Sequence, residues 1–325
     1  MYLHFNDPEQ AHDLLKKSPA TKTDPWLAAG EIALASTAKR NPSFFKIGNE
    51  MLADGDFHPF HISELASAIG TVHLRDGNRK ARKLFRRSLI SPTGNSLAQA
   101  EWANPFLGGE IVTSRQIADV PDSGEARAFQ AYWASNFEEL LTICENWTAE
   151  EPFSSKPHAM GSFAAITNDN MDLAIKFSRD GLALQPDSAL LQNHLAYALI
   201  ASAEYAEASQ ILRQALSKNH DEMLGGYFLA TAGMLAIRLG SLDDGIKKYR
   251  SSMAEFKRRG NRSSEALAAA FLSLEVARTE DPMASDYIKE AEDLSKDFKY
   301  NPEIKVVLDR AKKWESVVRQ RKQLP

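Results

Sequence analysis

The chain has 325 residues, of which 43% are hydrophobic and 25% charged, and its formal net charge is −4. This composition indicates a folded protein and excludes a disordered chain or a strongly basic nucleic-acid coat. The single cysteine, Cys144, excludes an internal disulfide and a thiol-rich metal site. The length exceeds that of one ordinary core, so we expect two domains or an elongated architecture.

No targeting or membrane signal is evident. The first residues lack a basic segment followed by an apolar one, and the longest apolar stretch, residues 195–203, is too short to span a bilayer. We therefore expect a cytoplasmic protein that does not insert into a membrane.

Helix-forming residues dominate the N-terminal part, and turn signals divide it. Four helices are predicted, which pair as two hairpins: residues 26–39, 42–52, 60–74 and 78–89. A further helix is predicted over 97–102, opened by a capping box of Ser96 and Gln99. Residues 104–124 then predict a long loop or hinge, with a short extended piece at 111–113.

The last of the four N-terminal helices carries the densest positive charge. Its apolar residues share one face, so its outer face is a basic stripe formed by Arg79, Arg82, Lys83, Arg86 and Arg87. Solvated surface, a protein partner and nucleic acid all remain open as interpretations. Because no aromatic residue interleaves the stripe and the whole chain is acidic, solvated surface is favoured.

From about residue 121 the sequence repeats with a period of 34. Small residues recur at this spacing at Ala128, Ser162 and Ala196, and Pro152 and Pro186 are separated by the same interval. Period and positions resemble the tetratricopeptide repeat (TPR), a unit of two antiparallel helices that cross at small residues. Two later units, marked by Gly233 and Ala270, each start three residues late. Pro282 predicts a shifted or shortened second helix in the fifth unit.

The resemblance implies an all-α fold, an α-solenoid of antiparallel helix hairpins wound as a TPR-like right-handed superhelix. We expect N-terminal TPR-like hairpins over residues 1–107, a loop or hinge over 108–124, and a TPR array over 125–300. Residues 301–325 predict an amphipathic helix that caps the last core face.

Residues that could carry chemistry are better explained by structure. Glu138–Glu139, Asp172 and Asp243–Asp244 fall in the first turn of second helices, where the helix dipole favours negative charge. His58 and His61 flank a predicted helix start, and Cys144 is predicted to fill the core. Phosphate-loop, dinucleotide and metalloprotease motifs are absent from the sequence. The sequence therefore predicts neither an enzyme nor a cofactor or metal site.

The ninth position of each unit points into the concave groove of TPR proteins. Here it is occupied by Phe129, Phe163, Tyr197, Met234 and Phe271. Neighbouring positions add Tyr132, Trp133, Asn193 and Tyr227. These side chains either pack between first helices or line an aromatic groove, and both interpretations stay open.

The residues at the fifth position decide which TPR ligand is expected. Glu125, Ala159, Asn193 and Ala230 stand there, so the basic clamp that grips a carboxylate in some TPR proteins is not expected. The leading hypothesis is a scaffold or adaptor whose groove binds a partner helix or peptide. The alternative is a regulatory or sensor subunit that contacts a small ligand or nucleic acid through the basic helix. The oligomeric state is left open.

Overall fold

The computed structural model describes residues 7–77, 79–108, 111–120, 123–217, 222–298 and 301–323. Within these residues it contains eighteen α-helices, three short 3-10 helices and no strand. The fold is an all-α solenoid of antiparallel helix hairpins, as predicted. None of the described helices combines the length and apolar content needed to cross a bilayer.

Packing divides the chain into two compact units. Unit 1 comprises Met1–Ala131 and Asn146–Phe153, and unit 2 comprises Tyr132–Glu145 and Ser154–Pro325. The division passes through one hairpin, α8 (Gly124–Trp133) and α9 (Phe137–Glu150). The domain boundaries expected from the sequence stay a prediction.

Unit 1 contains seven further helices. They are α1 (Pro8–Lys17), α2 (Pro25–Thr37), α3 (Phe45–Asp54), α4 (Pro59–Arg75), α5 (Lys80–Ser88), α6 (Gly94–Ala103) and α7 (Ser114–Asp119). The four predicted hairpin helices are present as α2 to α5, and Ile32, Leu65 and Ile69 are fully buried between them. Helix α1 lay outside the sequence prediction, and a buried carboxylate attaches it. Glu31 of α2 bonds His12 Nε2 at 2.9 Å and accepts from the backbone N–H of Ser43 at 2.8 Å.

Two local predictions in unit 1 were wrong. The capping box of α6 is formed by Thr93 and Ser96, so this helix starts before the predicted pair of Ser96 and Gln99. The stretch predicted as a loop contains a 3-10 helix at Asn104–Leu107 and helix α7, and Ile111 and Val112 are buried without forming a strand. The free energy gained by burying these apolar side chains offsets the conformational entropy that the segment loses when it is ordered.

Unit 2 is built from consecutive hairpins. Its helices are α10 (Lys156–Thr167), α11 (Met171–Leu184), α12 (Ala189–Ala201), α13 (Tyr205–Ser217), α14 (Glu222–Arg238), α15 (Leu242–Arg258), α16 (Arg262–Arg278), α17 (Ala284–Leu294) and α18 (Pro302–Gln323). Each even-numbered helix up to α16 packs against the next as a hairpin. The even-numbered helices, called first helices below, also contact one another in the order α10, α12, α14, α16 and α18. Helix α17 has 11 residues against 17 in α15, which agrees with the shortening expected from Pro282.

Small residues lie at the helix crossings, as the repeat pattern predicts. Ser162, Ala196 and Ala270 have no exposed surface. At the crossing of α14 and α15, a Cβ built on Gly245 would lie 2.7 Å from the carbonyl oxygen of Gly233. A side chain at either glycine would therefore force the two backbones apart.

Candidate partner-binding groove

The predicted groove residues of unit 2 lie on its first helices and at the start of its first hairpin. All but one are half-buried, namely Tyr132, Trp133, Phe163, Asn193, Tyr197, Tyr227 and Phe271. Met234 is fully buried, so its predicted place on an open groove is wrong. It lies on α14, against which both α12 and α16 pack. Phe129 is also half-buried but belongs to unit 1.

Four rings form an aromatic cluster at one end of the first-helix face: Tyr132, Trp133, Phe137 and Phe163. The Tyr132 centroid lies 4.7 Å from that of Trp133 and 5.6 Å from that of Phe163. Phe137, the first residue of α9, packs edge-on against Phe163 at 6.2 Å and is buried. Phe137 was not predicted, because it lies on a second helix and the repeat pattern marks groove positions on first helices. Edge-to-face packing holds these rings in place while leaving three of them half-buried.

Other predicted groove residues tie first helices together. The rings of Tyr197 and Phe271, from α12 and α16, meet at 5.4 Å, and Thr231 of α14 donates to Asn193 Oδ1 of α12 at 2.8 Å. Burial raises the pKa of Tyr197 to about 12. These residues fit the interpretation of packing between first helices, whereas the aromatic cluster fits the interpretation of an open lining.

A polar connection between α10 and α12 was also missed by sequence analysis. Ser162 of α10 and the ring Nδ1 of His194 of α12 lie 2.7 Å apart. Burial lowers the pKa of His194 to about 4. The sequence could not predict this bond, because a histidine on a helix is as common on the surface as in such a buried contact.

Helix α18 does more than follow the last hairpin. It packs against α16 and α17, and it also contacts α10. Arg310 donates from one guanidinium nitrogen to the carbonyl oxygen of Ile166 at 3.3 Å and from the other to that of Thr167. These carbonyls end α10, where a cation is favoured by the helix dipole. The helix predicted as a cap therefore joins the last hairpin to the first helix of an earlier one.

An ionic network lies where α14 and α16 end. Glu275 is 1% exposed and accepts from Arg238 at 2.5 and 3.1 Å and from Arg278 at 2.9 Å. The Arg278 guanidinium lies 5.8 Å from the ring centroid of Trp314 on α18. Two arginines around one buried carboxylate fix the ends of these helices.

Near its start, α18 carries a carboxylate of a different kind. Glu303 is half-buried, and no other described residue pairs with or donates to its side chain. Burial raises the pKa of Glu303 to about 7. The pKa of Tyr132 is raised, mainly by burial and to a lesser extent by the charge of Glu303. The Tyr227 pKa is likewise raised by burial and, less strongly, by Glu303.

The basic stripe lies on α5 in unit 1, with Arg79 at the N-cap. Arg79, Lys83 and Arg86 are exposed and Arg87 is half-buried. Arg82 departs from the prediction of an outward-facing stripe, because it donates to the carbonyl oxygen of Leu107 at 2.5 Å. The bond holds α5 to the following 3-10 helix and takes this cation out of the exposed surface.

The residues that the sequence offered as candidates for catalysis or metal binding are buried in the core or lie at the starts of helices. Cys144 is buried, which raises the pKa of its thiol to about 12. His58 caps α4, its Nδ1 accepting from the backbone N–H of Phe60 at 3.2 Å. No group of three potential metal ligands occurs within the described residues. The acidic residues lie in the first turns of α9, α11 and α15, as predicted.

Comparison with known proteins supports the fold. No protein-family model and no curated protein matches the sequence. Among solved structures, the chain is similar to the APC/C hetero-tetramer Cut9–Hcn1, with a TM-score of 0.57 and 15% identity over 95% of this chain. The chain spans 60% of the length of that one. Weaker likenesses are to human IFIT1 with m7Gppp-AAAA, at a TM-score of 0.45, 14% identity and coverage of 97% and 70% of the two chains. The likeness to the P58(IPK) TPR domain has a TM-score of 0.29 and 12% identity, and it covers 99% of this chain and 95% of that one. Together with the consecutive helix hairpins described above, the likeness to Cut9–Hcn1 shows an all-α helical-repeat fold.

Proposed function

We propose that unit 2 is a non-catalytic protein-interaction module of a scaffold or adaptor, whose first-helix face binds a helix or extended peptide of a partner. The observation that carries the proposal is the aromatic cluster. Tyr132, Trp133 and Phe163 stay half-buried although each ring contacts another. Rigid, partly exposed aromatic side chains supply large contact area at low entropic cost, which is typical of binding hot spots.

Helix α18 favours a helical ligand. It already packs on α16 through an apolar face, with Ile304, Val307 and Ala311 almost fully buried. Its Arg310 reaches the end of α10 at the same time. Because this face already packs against one helix, a helical partner is the expected ligand, and it is expected to lie beside α18 over the aromatic cluster.

The test is peptide selection against the full-length protein, followed by affinity measurements on three proteins: wild type, Phe163→Ala and Leu216→Ala. Leu216 is 45% exposed on the second helix α13, so it is a matched apolar control outside the first-helix face. We expect Phe163→Ala to weaken binding of the selected peptides roughly thirtyfold, the effect of one hot-spot residue of about 2 kcal/mol. We expect Leu216→Ala to leave it unchanged.

Stability measurements on the same variants separate binding from folding. A half-buried Phe163 predicts a loss of unfolding free energy well below the roughly 3–5 kcal/mol of a fully buried phenylalanine. Peptides that bind Phe163→Ala as tightly as wild type would contradict the proposal. A loss of binding that follows global destabilisation would do the same.

A further inference from the structure

Positive charge is concentrated in one short part of the chain. Residues 77–100 contain six Lys and Arg and no Asp or Glu, which leaves 33 basic against 43 acidic side chains over the rest of the sequence. The rest therefore has a formal net charge of −10, although the whole chain has only −4. All six cations lie on α5 or directly before it. Separation of charge on this scale creates a positive surface that attracts anionic groups.

Most of these cations are not used by the fold. Four of them have no ion-pair or hydrogen-bond partner for their side chains within the described residues, namely Arg79, Lys83, Arg86 and Arg87. Arg82 differs, because it donates to the Leu107 carbonyl oxygen at 2.5 Å and so fixes α5 to the following 3-10 helix. The four unpartnered cations are therefore available to a ligand.

The helices that pack against α5 supply no carboxylate to these cations. Helices α4 and α6 contact α5, and their only acidic residues are Glu64 and Glu101. Glu64 accepts from the Thr93 hydroxyl, and Glu101 is 5% exposed. Neither carboxylate pairs with any of the four cations, so the positive charge of the surface is not neutralised by its neighbours.

The same charges lower the stability of the helix that carries them. Arg79 is the N-cap of α5 without a side-chain cap bond, and the first turn contains no acidic residue. The helix dipole opposes a cation at this end, where a serine, threonine or aspartate cap is preferred. Lys83 lies four residues after Arg79 and three before Arg86, so these like charges are neighbours that repel one another. Cations that cost the fold stability and lack an internal partner indicate an external anion.

The exposed side of α5 has a defined geometry. Phe85, on the opposite side, is fully buried and holds the helix against the core of unit 1. Arg79, Lys83 and Arg86 follow one another at intervals of four and three residues, which places them along a line about 10 Å long. Ile90 follows after four more residues, directly beyond the end of α5, and is 68% exposed. The line of three cations thus leads to an exposed apolar side chain, and these four residues are called the α5 face below.

We propose that the α5 face binds an acidic segment of a partner protein, whose carboxylates are spaced one helical turn apart and are followed by an apolar residue. The carboxylates pair with Arg79, Lys83 and Arg86, and the apolar residue packs on Ile90. This surface belongs to unit 1. The inference therefore adds to the proposed function, which concerns the first-helix face of unit 2, and does not rest on it.

An acidic peptide matches the α5 face better than nucleic acid does. Phe85 is the only aromatic residue of α5 and is buried, so the helix offers no ring on which a base could stack. Ile90 has no favourable contact to make with phosphate groups. A strand longer than about 10 Å would also extend beyond the cations, and the rest of the chain, with its net charge of −10, repels a polyanion. A short acidic segment can pair with the cations without this repulsion.

The test uses the full-length protein and a synthetic peptide built to match the α5 face. The peptide is a twelve-residue alanine sequence with glutamate at positions 1, 5 and 8 and leucine at position 12, and its control has glutamine in place of glutamate. Fluorescence anisotropy of the labelled peptides measures binding. We expect the glutamate peptide to bind wild type and the glutamine peptide not to bind. Raising NaCl from about 50 to about 300 mM should weaken the complex at least fivefold, because exposed ion pairs are screened.

Two double variants with the same change of charge locate the binding. Lys83→Gln with Arg86→Gln alters the α5 face, whereas Lys16→Gln with Lys17→Gln removes two exposed cations at the end of α1. We expect the first variant to bind the glutamate peptide about tenfold more weakly and the second to bind it as wild type does. Unchanged binding by the first, or equal weakening by both, would overturn the proposal. The first variant should unfold at the same denaturant concentration as wild type or a higher one, because repulsion within α5 is relieved.

A single variant tests the apolar end of the α5 face. Ile90→Ala should weaken binding of the glutamate peptide about threefold, because the leucine loses its contact, and should leave the alanine-12 version of the peptide unaffected. Because Ile90 is largely exposed, this variant should fold as wild type does. Binding of the leucine peptide that is independent of Ile90 would contradict the proposed placement of the segment.

Two other occupants are tested with the same proteins. A single strand of twenty deoxythymidines that binds more tightly than the glutamate peptide, and loses affinity for the Lys83→Gln, Arg86→Gln variant, would assign the α5 face to nucleic acid. Salt-sensitive self-association of wild type in sedimentation experiments, absent from the same variant, would assign it to acidic residues of a second copy. Either result would overturn the acidic partner segment. Wild type that stays monomeric and prefers the glutamate peptide supports it.

Discussion

At the residue scale, the crossing of α14 and α15 depends on two glycines. A Cβ added to Gly233 would lie 2.7 Å from Cδ2 of Tyr249 and 2.9 Å from the carbonyl oxygen of Gly245. Tyr249 is 1% exposed, so it has no free space into which to move. Gly225, two turns earlier in the same helix, would meet nothing within 4 Å.

The two glycines predict opposite effects of the same substitution. Gly233→Ala should cost about 1–3 kcal/mol of unfolding free energy through overpacking. Gly225→Ala should stabilise the protein by up to about 1 kcal/mol, because alanine loses less backbone entropy in a helix. Denaturant midpoints of the two variants and wild type decide the matter. Equal destabilisation by both would mean that the crossing is not closely packed.

Repeat positions were predictable because their cause is local and periodic. Ala128, Ser162 and Ala196 recur at one spacing, and their burial follows from the geometry of every hairpin in the array. Met234 occupies a position of the same pattern but is buried, since its exposure depends on the neighbouring helices α12 and α16. The pattern therefore indicates which residues share a face, and the packing of neighbours determines how much of that face is open.

At the element scale, α5 shows how tertiary contact changes the meaning of a charge pattern. The helix has an apolar face and a basic face on opposite sides, which predicts an exposed basic stripe. Arg82 nevertheless bonds Leu107, 25 residues later, and becomes part of the structure of unit 1. A sequence pattern on one helix contains no information about that carbonyl.

The same helix yields a matched pair of variants. Arg82→Gln should lower the unfolding free energy by about 1–3 kcal/mol, because a charge-assisted bond to a partly buried carbonyl is lost. Lys83→Gln, at an exposed neighbouring position, should change it by less than about 0.5 kcal/mol. Hydrogen exchange should also speed up at residues 104–108 in the first variant alone. Identical behaviour of the two would place Arg82 in solvent.

Helix α18 illustrates the part of the fold that sequence analysis could not reach. Its amphipathic period, beginning at Pro302, predicts a helix with one buried face, and the structure has that helix. Through its contact with α10, Arg310 bonds Ile166 and Thr167, which lie more than 140 positions earlier in the chain. Nothing in the sequence singled out Glu303 either, because an acidic residue in the first turn of a helix is ordinary.

At the scale of the whole molecule, two half-buried titratable groups make stability depend on pH in opposite directions. His194 has a folded-state pKa of about 4, below its ordinary 6.5, so its contribution is lost as the pH falls from 6.5 towards 4. Glu303 has a folded-state pKa of about 7, above its ordinary 4.5, so its contribution is lost as the pH rises from 4.5 to 7. Each can reach about 3 kcal/mol, so the two largely offset each other between pH 4.5 and 6.5.

Removing the titration of Glu303 should make the effect of His194 on stability measurable. Glu303→Gln keeps the shape of the side chain and abolishes its titration, so the variant should match wild type near pH 4 and exceed it by up to about 3 kcal/mol at pH 8. Its stability should also fall more steeply than that of wild type as the pH drops below 6.5, because the effect of His194 is no longer offset. Urea unfolding of both proteins at half-unit steps from pH 4 to pH 8 measures the difference. A constant difference across this range would show that Glu303 is as well solvated in the folded protein as in the unfolded chain.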